Sequence, residues 1–165
     1  MSAQPLLSII IPTFNRGRTL AESLEELIVR AQSTSEIIEV LILDNASQDD
    51  TESVIGDFIQ RSPKNLVVNV RLRQKNIGIA KSMIEGITIV SGVYWCIMGD
   101  DDVFTAAGFS LALEVLRRDP RPSAFIQTVW PSRKLESLGA IEDIDQATVE
   151  HFYFAGNTFG GIFQT

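Results

Sequence analysis

Apolar residues recur along this chain in two alternating rhythms. "LLSIII", Leu6 to Ile11, is a continuous apolar run closed by Pro12, the pattern of a buried strand that ends where a ladder donor is lost. "TFNRGR" follows as a loop, and Thr19 with Glu22 has the spacing of a capping box opening a helix. Leu20, Leu24, Leu27, Ile28 and Ala31 then share one helical face. "IIEVLIL", Ile37 to Leu43, predicts a second buried strand, followed by the polar turn "DNASQDDT". A helix is predicted from near Asp49, with Val54, Ile55, Phe58 and Ile59 inward.

"NLVVNVRLRQ" alternates strictly, which predicts a half-exposed strand with Leu66, Val68, Val70 and Leu72 on its apolar face. "IGIAKSMIEGITIVSG" predicts a helix stopped at Ser91-Gly92. "VYWCIMG" predicts a strand, "AAGFSLALEVLRRD" a helix ended by Pro120, and "SAFIQTVW" a further strand. Beyond Pro131 the periodicity weakens, and the aromatic, Gly-rich "ATVEHFYFAGNTFGGIFQT" predicts no definite element.

Strands that alternate with helices imply an α/β domain with a mostly parallel sheet covered on both faces. Ligands of such sheets bind outside the carboxyl ends of the strands. Three polar clusters fall at predicted strand ends: Thr13–Arg16, Asp44–Asp49 and Asp100–Asp102. Their shared position is more informative than any one of them.

Composition and charge narrow the picture. At 165 residues the chain is a single domain with 45% hydrophobic residues, long enough to bury a core. A net charge of -7 argues against duplex nucleic acid as the main partner, though not against a nucleotide held through a metal. One cysteine, Cys96, excludes an internal disulfide framework and fits a reducing compartment. No apolar run approaches the roughly 18 residues that span a bilayer, and no signal peptide opens the chain. A cytoplasmic protein is expected.

The triplet Asp100-Asp101-Asp102 follows directly on an apolar strand. Adjacent carboxylates raise one another's proton affinity unless a cation intervenes. Mg2+ or Mn2+ takes one or two carboxylates and fills its other positions with phosphates and water. On an extended backbone Asp100 and Asp102 would project to one side and Asp101 to the other. The competing reading is a solvated turn that caps the next helix.

Asp44 and Asn45 offer the acceptors and donor needed to read a base edge, or else an Asx-turn before a helix. Thr13, Asn15 and Arg16 offer polar contacts and a cation for a phosphate, or else an ordinary strand-to-helix loop. Asn76 and Gly78 mark the turn before the third helix, where glycine permits close backbone approach. No P-loop, G-x-G-x-x-G or G-x-S-x-G motif is present. His151 is the only histidine and Cys96 the only cysteine, which argues against a zinc site, and a packing role for His151 among aromatics is expected. Cys96, Trp95 and Met98 read as core.

Taken in order, these clusters resemble glycosyltransferases of the GT-A fold, inverting family two. "SIIIPTFNR" is similar to that family's opening strand and loop. "LILDNASQDDT" is similar to its second-strand nucleotide motif, and "NIGIAKSMIEGITIVSGVYWCIMGDDD" to the helix and strand leading into its DxD motif. The "YW…GDDD" variant resembles abequosyltransferase-like members, which build bacterial surface polysaccharides. The likeness covers residues from about 6 to 118.

The resemblance implies a Rossmann-like GT-A fold that moves a sugar from a nucleotide diphospho-sugar to an acceptor hydroxyl. Pro12, Thr13, Asn15 and Arg16 would line the nucleotide pocket. Asp44 and Asn45 would contact the base, a pyrimidine in this family, although many relatives carry two acids there. Asn76 and Gly78 would shape the floor of the donor site. Asp100 would lie near ribose and metal, with Asp101 beside the nucleotide-sugar and Asp102 as the main ligand of Mn2+ or Mg2+.

Residues 1–118 would form the donor region and 119–165 part of an acceptor region, cut short. The general base is not identified; Glu142, Asp143 and Asp145 are the candidates, and a solvated loop is the competing reading of "IEDID". A saccharide or lipid-linked saccharide acceptor is implied, the latter placing the protein at the inner face of the membrane. Three other readings stand beside this one: a nucleotide-binding half-domain without transferase activity, a sugar nucleotidyltransferase, and a flavodoxin-like signalling domain. "PTFNRGR" lacks the Gly-rich loop of the second and the acids of the third.

Overall fold

The computed structural model describes residues 3–118, 124–127 and 160–164. Among these residues six strands form one sheet: β1 (Leu7–Thr13), β2 (Ile38–Asp44), β3 (Leu66–Leu72), β4 (Tyr94–Ile97), β5 (Ala124–Gln127) and β6 (Gly160–Gln164). Their order is β3-β2-β1-β4-β6-β5, with β1 to β4 parallel and β6 antiparallel to both neighbours. Four helices connect the parallel strands and follow β4: α1 (Gly17–Gln32), α2 (Thr51–Arg61), α3 (Ile79–Ile89) and α4 (Ala106–Arg118). The expected α/β architecture stands. The closing "GGIFQT", which predicted no element, supplies strand β6.

Alternation within β1 and β2 divides the core. Leu7, Ile9, Ile11, Val40 and Ile42 face α1, α2 and α4, meeting Leu20, Leu24, Ile55, Phe58, Phe109 and Leu113. Ile10, Leu41 and Leu43 face the other way, toward α3. Gly86 lets α3 lie flat there: a Cβ at this position would come within 2.7 Å of Ile10 Cγ2. The helix therefore buries Ser82 and Gly86, while Ile79 and Ile84 are exposed.

Four local expectations are corrected. Strand β1 runs through Pro12 to Thr13, paired with Leu43 and Asp44. Ile10 C=O accepts from Met98 N–H at 2.9 Å, so Ile10, and Pro12 two residues later, address the β4 side. Strand β4 has already ended at Ile97, and the missing proline N–H costs no ladder bond.

The capping box at Thr19 and Glu22 does not form, because α1 opens earlier, at Gly17. Ile59 and Leu72, expected inward, are 48% and 50% exposed. Helix α2 buries only Thr51, Ile55 and Phe58, and Leu72 lies at the end of edge strand β3.

Cys96 is buried mid-strand as expected, and burial pushes its thiol pKa up to about 12. His151 lies outside the described residues. Among the described residues no helix is long and apolar enough to cross a membrane.

Candidate functional site

Strand β1 has β2 on one side and β4 on the other, so the chain order reverses beside it. A crevice opens at such a switch point, beyond the strand carboxyl ends. The three polar clusters of the sequence all emerge there, and hydrogen bonds join them.

Thr13 ends β1, and its hydroxyl donates to Asp100 Oδ2 at 2.8 Å. Arg16 Nη1 lies 2.7 Å from Asp100 Oδ1 and 3.2 Å from Asp101 Oδ2. Ser23 of α1 donates its hydroxyl to the Asp100 carbonyl at 2.9 Å. The buried Asp100 carboxylate thus has a cation and one hydroxyl on it, a setting that tolerates the charge, while Ser23 holds its backbone. Asp100 pushes the Arg16 pKa above its ordinary value, first by its hydrogen bond and then by its charge.

The aspartates do not lie on an extended backbone. Asp102 N–H donates to Gly99 C=O at 3.1 Å, closing a turn. This corrects the expected projection of Asp100 and Asp102 to one side. The turn sends Asp100 inward to Thr13 and Arg16. Asp101 and Asp102 stay together over Gly99, where an added Cβ would lie 2.9 Å from Asp101 Oδ1 and 2.7 Å from Asp102 Oδ2. The reading of the triplet as a helix cap also fails, since Thr105 Oγ1 accepts from Gly108 N–H at 3.1 Å in the first turn of α4.

The second cluster is largely occupied with its own loop. Asp44 Oδ1 accepts from the Ser47 hydroxyl, and both its oxygens lie 3.2 Å from Ser47 N–H. Asn15, at φ 53°, donates its N–H to Ser47 Oγ at 2.8 Å and accepts from Gln48 N–H at 2.7 Å. Ala46 sits at φ 70°, a left-handed backbone that costs a non-glycine residue about 1–2 kcal/mol. Strain of this kind clusters where a loop must hold a set shape for a ligand.

Asn45 N–H donates to Thr13 C=O at 2.9 Å. Its amide group reaches the β3–α3 loop, donating to Asn76 Oδ1 at 2.9 Å and accepting from Ile77 N–H at 2.9 Å. Asn76 Oδ1 also accepts from Gly78 N–H at 2.8 Å, and Gly78 adopts φ 84°. An open depression of about 620 Å³ adjoins this corner, lined by Leu72, Arg73, Gln74, Lys75 and Ile77.

The expected site residues from Thr13 to Asp101 therefore form one network. Pro12 borders it, and Asp102 closes its acidic turn. Glu142, Asp143 and Asp145 lie outside the described residues.

Three contributors were not anticipated. Ser23 is a polar residue within the apolar stripe of Leu20, Leu24 and Leu27, and that interruption was its signal. Gly99 leaves room for the paired carboxylates. Asp49 accepts from Gly17 N–H at 3.0 Å and Thr51 N–H at 3.1 Å, capping two helices at once. The Thr51 hydroxyl, which donates to Asp49 Oδ1 at 2.5 Å, and then the Gly17 N–H hold the Asp49 pKa below the usual carboxylate range.

The donor set suits a hard divalent ion. Asp101 and Asp102 would offer such an ion carboxylate oxygens over Gly99, whose N–H donates to Asp102 Oδ2 at 3.1 Å, and Arg16 holds a cationic group against the turn. No cluster of three or more metal-ligating side chains occurs among the described residues, and a Mg2+ or Mn2+ shared with phosphates does not require one.

The chain is similar in sequence and in fold to known proteins. The abequosyltransferase RfbV of Salmonella typhimurium is 33% identical over 97 residues, covering 59% of this chain and 28% of that protein. An uncharacterized glycosyltransferase of Mycoplasma pneumoniae is 25% identical over 137 residues, 81% of this chain and 44% of that one. This chain thus spans less than half the length of either relative.

Among solved structures, TarS 1-349 of S. aureus in complex with UDP-GlcNAc superposes with a TM-score of 0.67 at 17% identity, over 96% of this chain and 45% of that one. The mannosyltransferase PcManGT of Pyrobaculum calidifontis, in complex with GDP-Man and Mn2+, gives 0.60 at 22% identity, over 74% and 35%. Both likenesses establish the GT-A fold. The family profile of glycosyl transferase family 2 matches residues 8–157, and the chain belongs to that family.

Proposed function

We propose that this chain carries the donor half of a metal-dependent, inverting glycosyltransferase acting in bacterial surface polysaccharide synthesis. The observation that carries the reading is the meeting of Thr13, Arg16 and the Asp100–Asp102 turn at the β1/β4 switch point. Membership of family 2 and a solved neighbour holding UDP-GlcNAc support a nucleotide diphospho-sugar as donor.

In this reading the base lies toward Asp44, Asn45 and the depression beside Arg73, and a pyrimidine is favoured. The diphosphate lies over the acidic turn. A bound Mn2+ or Mg2+ supplies charge neutralisation for the departing diphosphate. Asp101 and Asp102 are the carboxylates best placed to hold it, with Asp100 fixing the turn between Thr13 and Arg16. Asn15 and Ser47 hold the loop that borders the base, and the Asn45–Asn76 pair sets the floor ahead of Gly78.

An acceptor oxygen forms the new bond to the anomeric carbon as the bond to the diphosphate breaks, and that electron pair leaves with the nucleoside diphosphate. The acceptor proton passes to a carboxylate, for which Glu142, Asp143 and Asp145 are the candidates; general-base help is typically worth 10²–10⁴-fold. The acceptor is a saccharide, free or lipid-linked, and a lipid-linked one places the full protein at the inner face of the membrane.

A thermal-shift panel of uridine, cytidine, thymidine and guanosine diphosphates, with and without Mn2+, tests the donor site. Ligand at about 100 times Kd stabilises the native state by about 2.7 kcal/mol. The expected result is a rise with a pyrimidine nucleotide that requires Mn2+. No rise with any nucleotide contradicts the reading.

A further inference from the structure

Arg16 has a role that donor binding alone does not explain. Its Nη1 serves both Asp100 Oδ1, at 2.7 Å, and Asp101 Oδ2, at 3.2 Å. Its Nη2 and Nε make no hydrogen bond to a described residue. Guanidinium groups favour planar, bidentate acceptors, and this end-on contact leaves most of the fork unused. The Arg16 and Asp101 side chains are about half exposed, at 49% and 52%, so the Asp101 contact can open without disturbing the core. Arg16 also lies at the mouth of α1, where its C=O accepts from Leu20 N–H at 2.9 Å. Its backbone is fixed while its side chain can change rotamer.

We propose that Arg16 is a counter-cation switch. In the empty protein it neutralises the acidic turn in place of a divalent ion, and it transfers to the donor's diphosphate when ion and nucleotide bind together. The proposal rests on the donor-site reading above. Electrostatics argue for the exchange. An ion over Gly99 would share Asp101 with the guanidinium, and the two positive charges repel across a short distance. A diphosphate offers Arg16 the bidentate acceptor it lacks, and moves it away from the ion. The consequence is coupling: the ion binds weakly alone, the nucleotide binds weakly alone, and each raises the affinity of the other by the same factor. The site then avoids capture by free metal in the absence of donor.

Mn2+ binding, followed by the electron paramagnetic resonance of the free ion, tests this without any transfer assay. Wild-type protein, Arg16→Met and Arg16→Lys are titrated with Mn2+, alone and with uridine diphosphate. The expected result is that R16M binds Mn2+ alone about tenfold more tightly than wild type, within the usual range of coupling between sites. Its gain from uridine diphosphate shrinks by a similar factor. R16K keeps the charge and the weak binding of Mn2+ alone.

If R16M does not melt cooperatively, Arg16→Gln takes its place and the same comparison decides. An unchanged or weaker Mn2+ affinity in the neutral variant, with wild type binding ion and nucleotide, overturns the switch and leaves the donor site standing. Wild type that binds neither overturns both.

Discussion

Two acidic loops flank β1 at the carboxyl end of the sheet, one after β2 and one after β4, and their carboxylates do different work. In the loop after β2, Asp44 is tied to Ser47, and Asp49 caps α1 and α2 through Gly17 and Thr51. In the turn after β4, Asp100 is neutralised by Arg16, while Asp101 and Asp102 flank the space over Gly99. The first loop satisfies backbone donors that helix starts leave open. In the second, Asp102 Oδ2 likewise accepts from Gly99 N–H at 3.1 Å, but three consecutive carboxylates meet a single guanidinium there. Similar residues at similar strand ends thus divide into a loop that braces two helices and a turn that, in the proposed function, seats a ligand.

The sharpest break of this comparison is Asp100→Asn. The substitution keeps the shape of the side chain and removes the charge that holds Arg16. Hydrogen bonds to charged groups are worth about 1.5–3 kcal/mol, so Mn2+-dependent nucleotide affinity should fall about 10- to 100-fold by calorimetry. The melting midpoint should fall as well, because Asp100 is buried and its bonds to Thr13 and Arg16 also hold the turn in the free protein. Affinity that is unchanged alongside a large loss of stability would make this turn a second brace.

Gly17→Ala probes the other loop. The new Cβ would lie 2.1 Å from Asp50 Oδ1 and 2.9 Å from the Thr51 backbone nitrogen. Overpacking of this kind costs about 1–3 kcal/mol, read as a lowered denaturant midpoint. A folded G17A protein should retain its nucleotide affinity.

Asp49→Ala should lower the melting midpoint by a smaller amount, and its effect should depend on pH. The folded pKa of Asp49 lies below the ordinary value of an aspartate. Its contribution is therefore present above the unfolded pKa and is lost as pH falls through the folded one. Wild type should lose stability more steeply than D49A on acidification through that range, and the two should converge at the acid end. Parallel curves would show that Asp49 is not the cap described here.

The smallest effect concerns Cys96. Burial raises its thiol pKa to about 12, so a thiol reagent at neutral pH should label it only at the rate of unfolding. Nucleotide and Mn2+ together should slow that labelling if they bind the native state.

Much of this fold was legible in the sequence because buried parallel strands read as unbroken apolar runs and their helices as periodic stripes. The three clusters were legible because each interrupts such a run at its end. The geometry inside them was not. Whether Asp100 faces outward or inward depends on a turn closed by Gly99 and on partners from β1 and α1 that are more than 70 residues away in sequence. The cap of α1 was misplaced for the same reason. Thr19 and Glu22 have the local spacing, but Gly17 admits a closer approach by the β2–α2 loop, and Asp49 caps the helix from there. Strand β6 escaped because aromatic and glycine residues carry no clear period, and its pairing with β4 is set by tertiary contact.

The central claim is that the acidic turn at the β1/β4 crevice seats an ion shared with a nucleotide's diphosphate. Crystals soaked in uridine diphosphate and Mn2+, with data at the manganese edge, test it most directly. The account predicts an anomalous peak bound by Asp101 or Asp102 and by phosphate oxygens, with Arg16 turned from Asp101 toward the diphosphate. A bound nucleotide with its phosphates remote from Gly99, or manganese seated away from this turn, would contradict it.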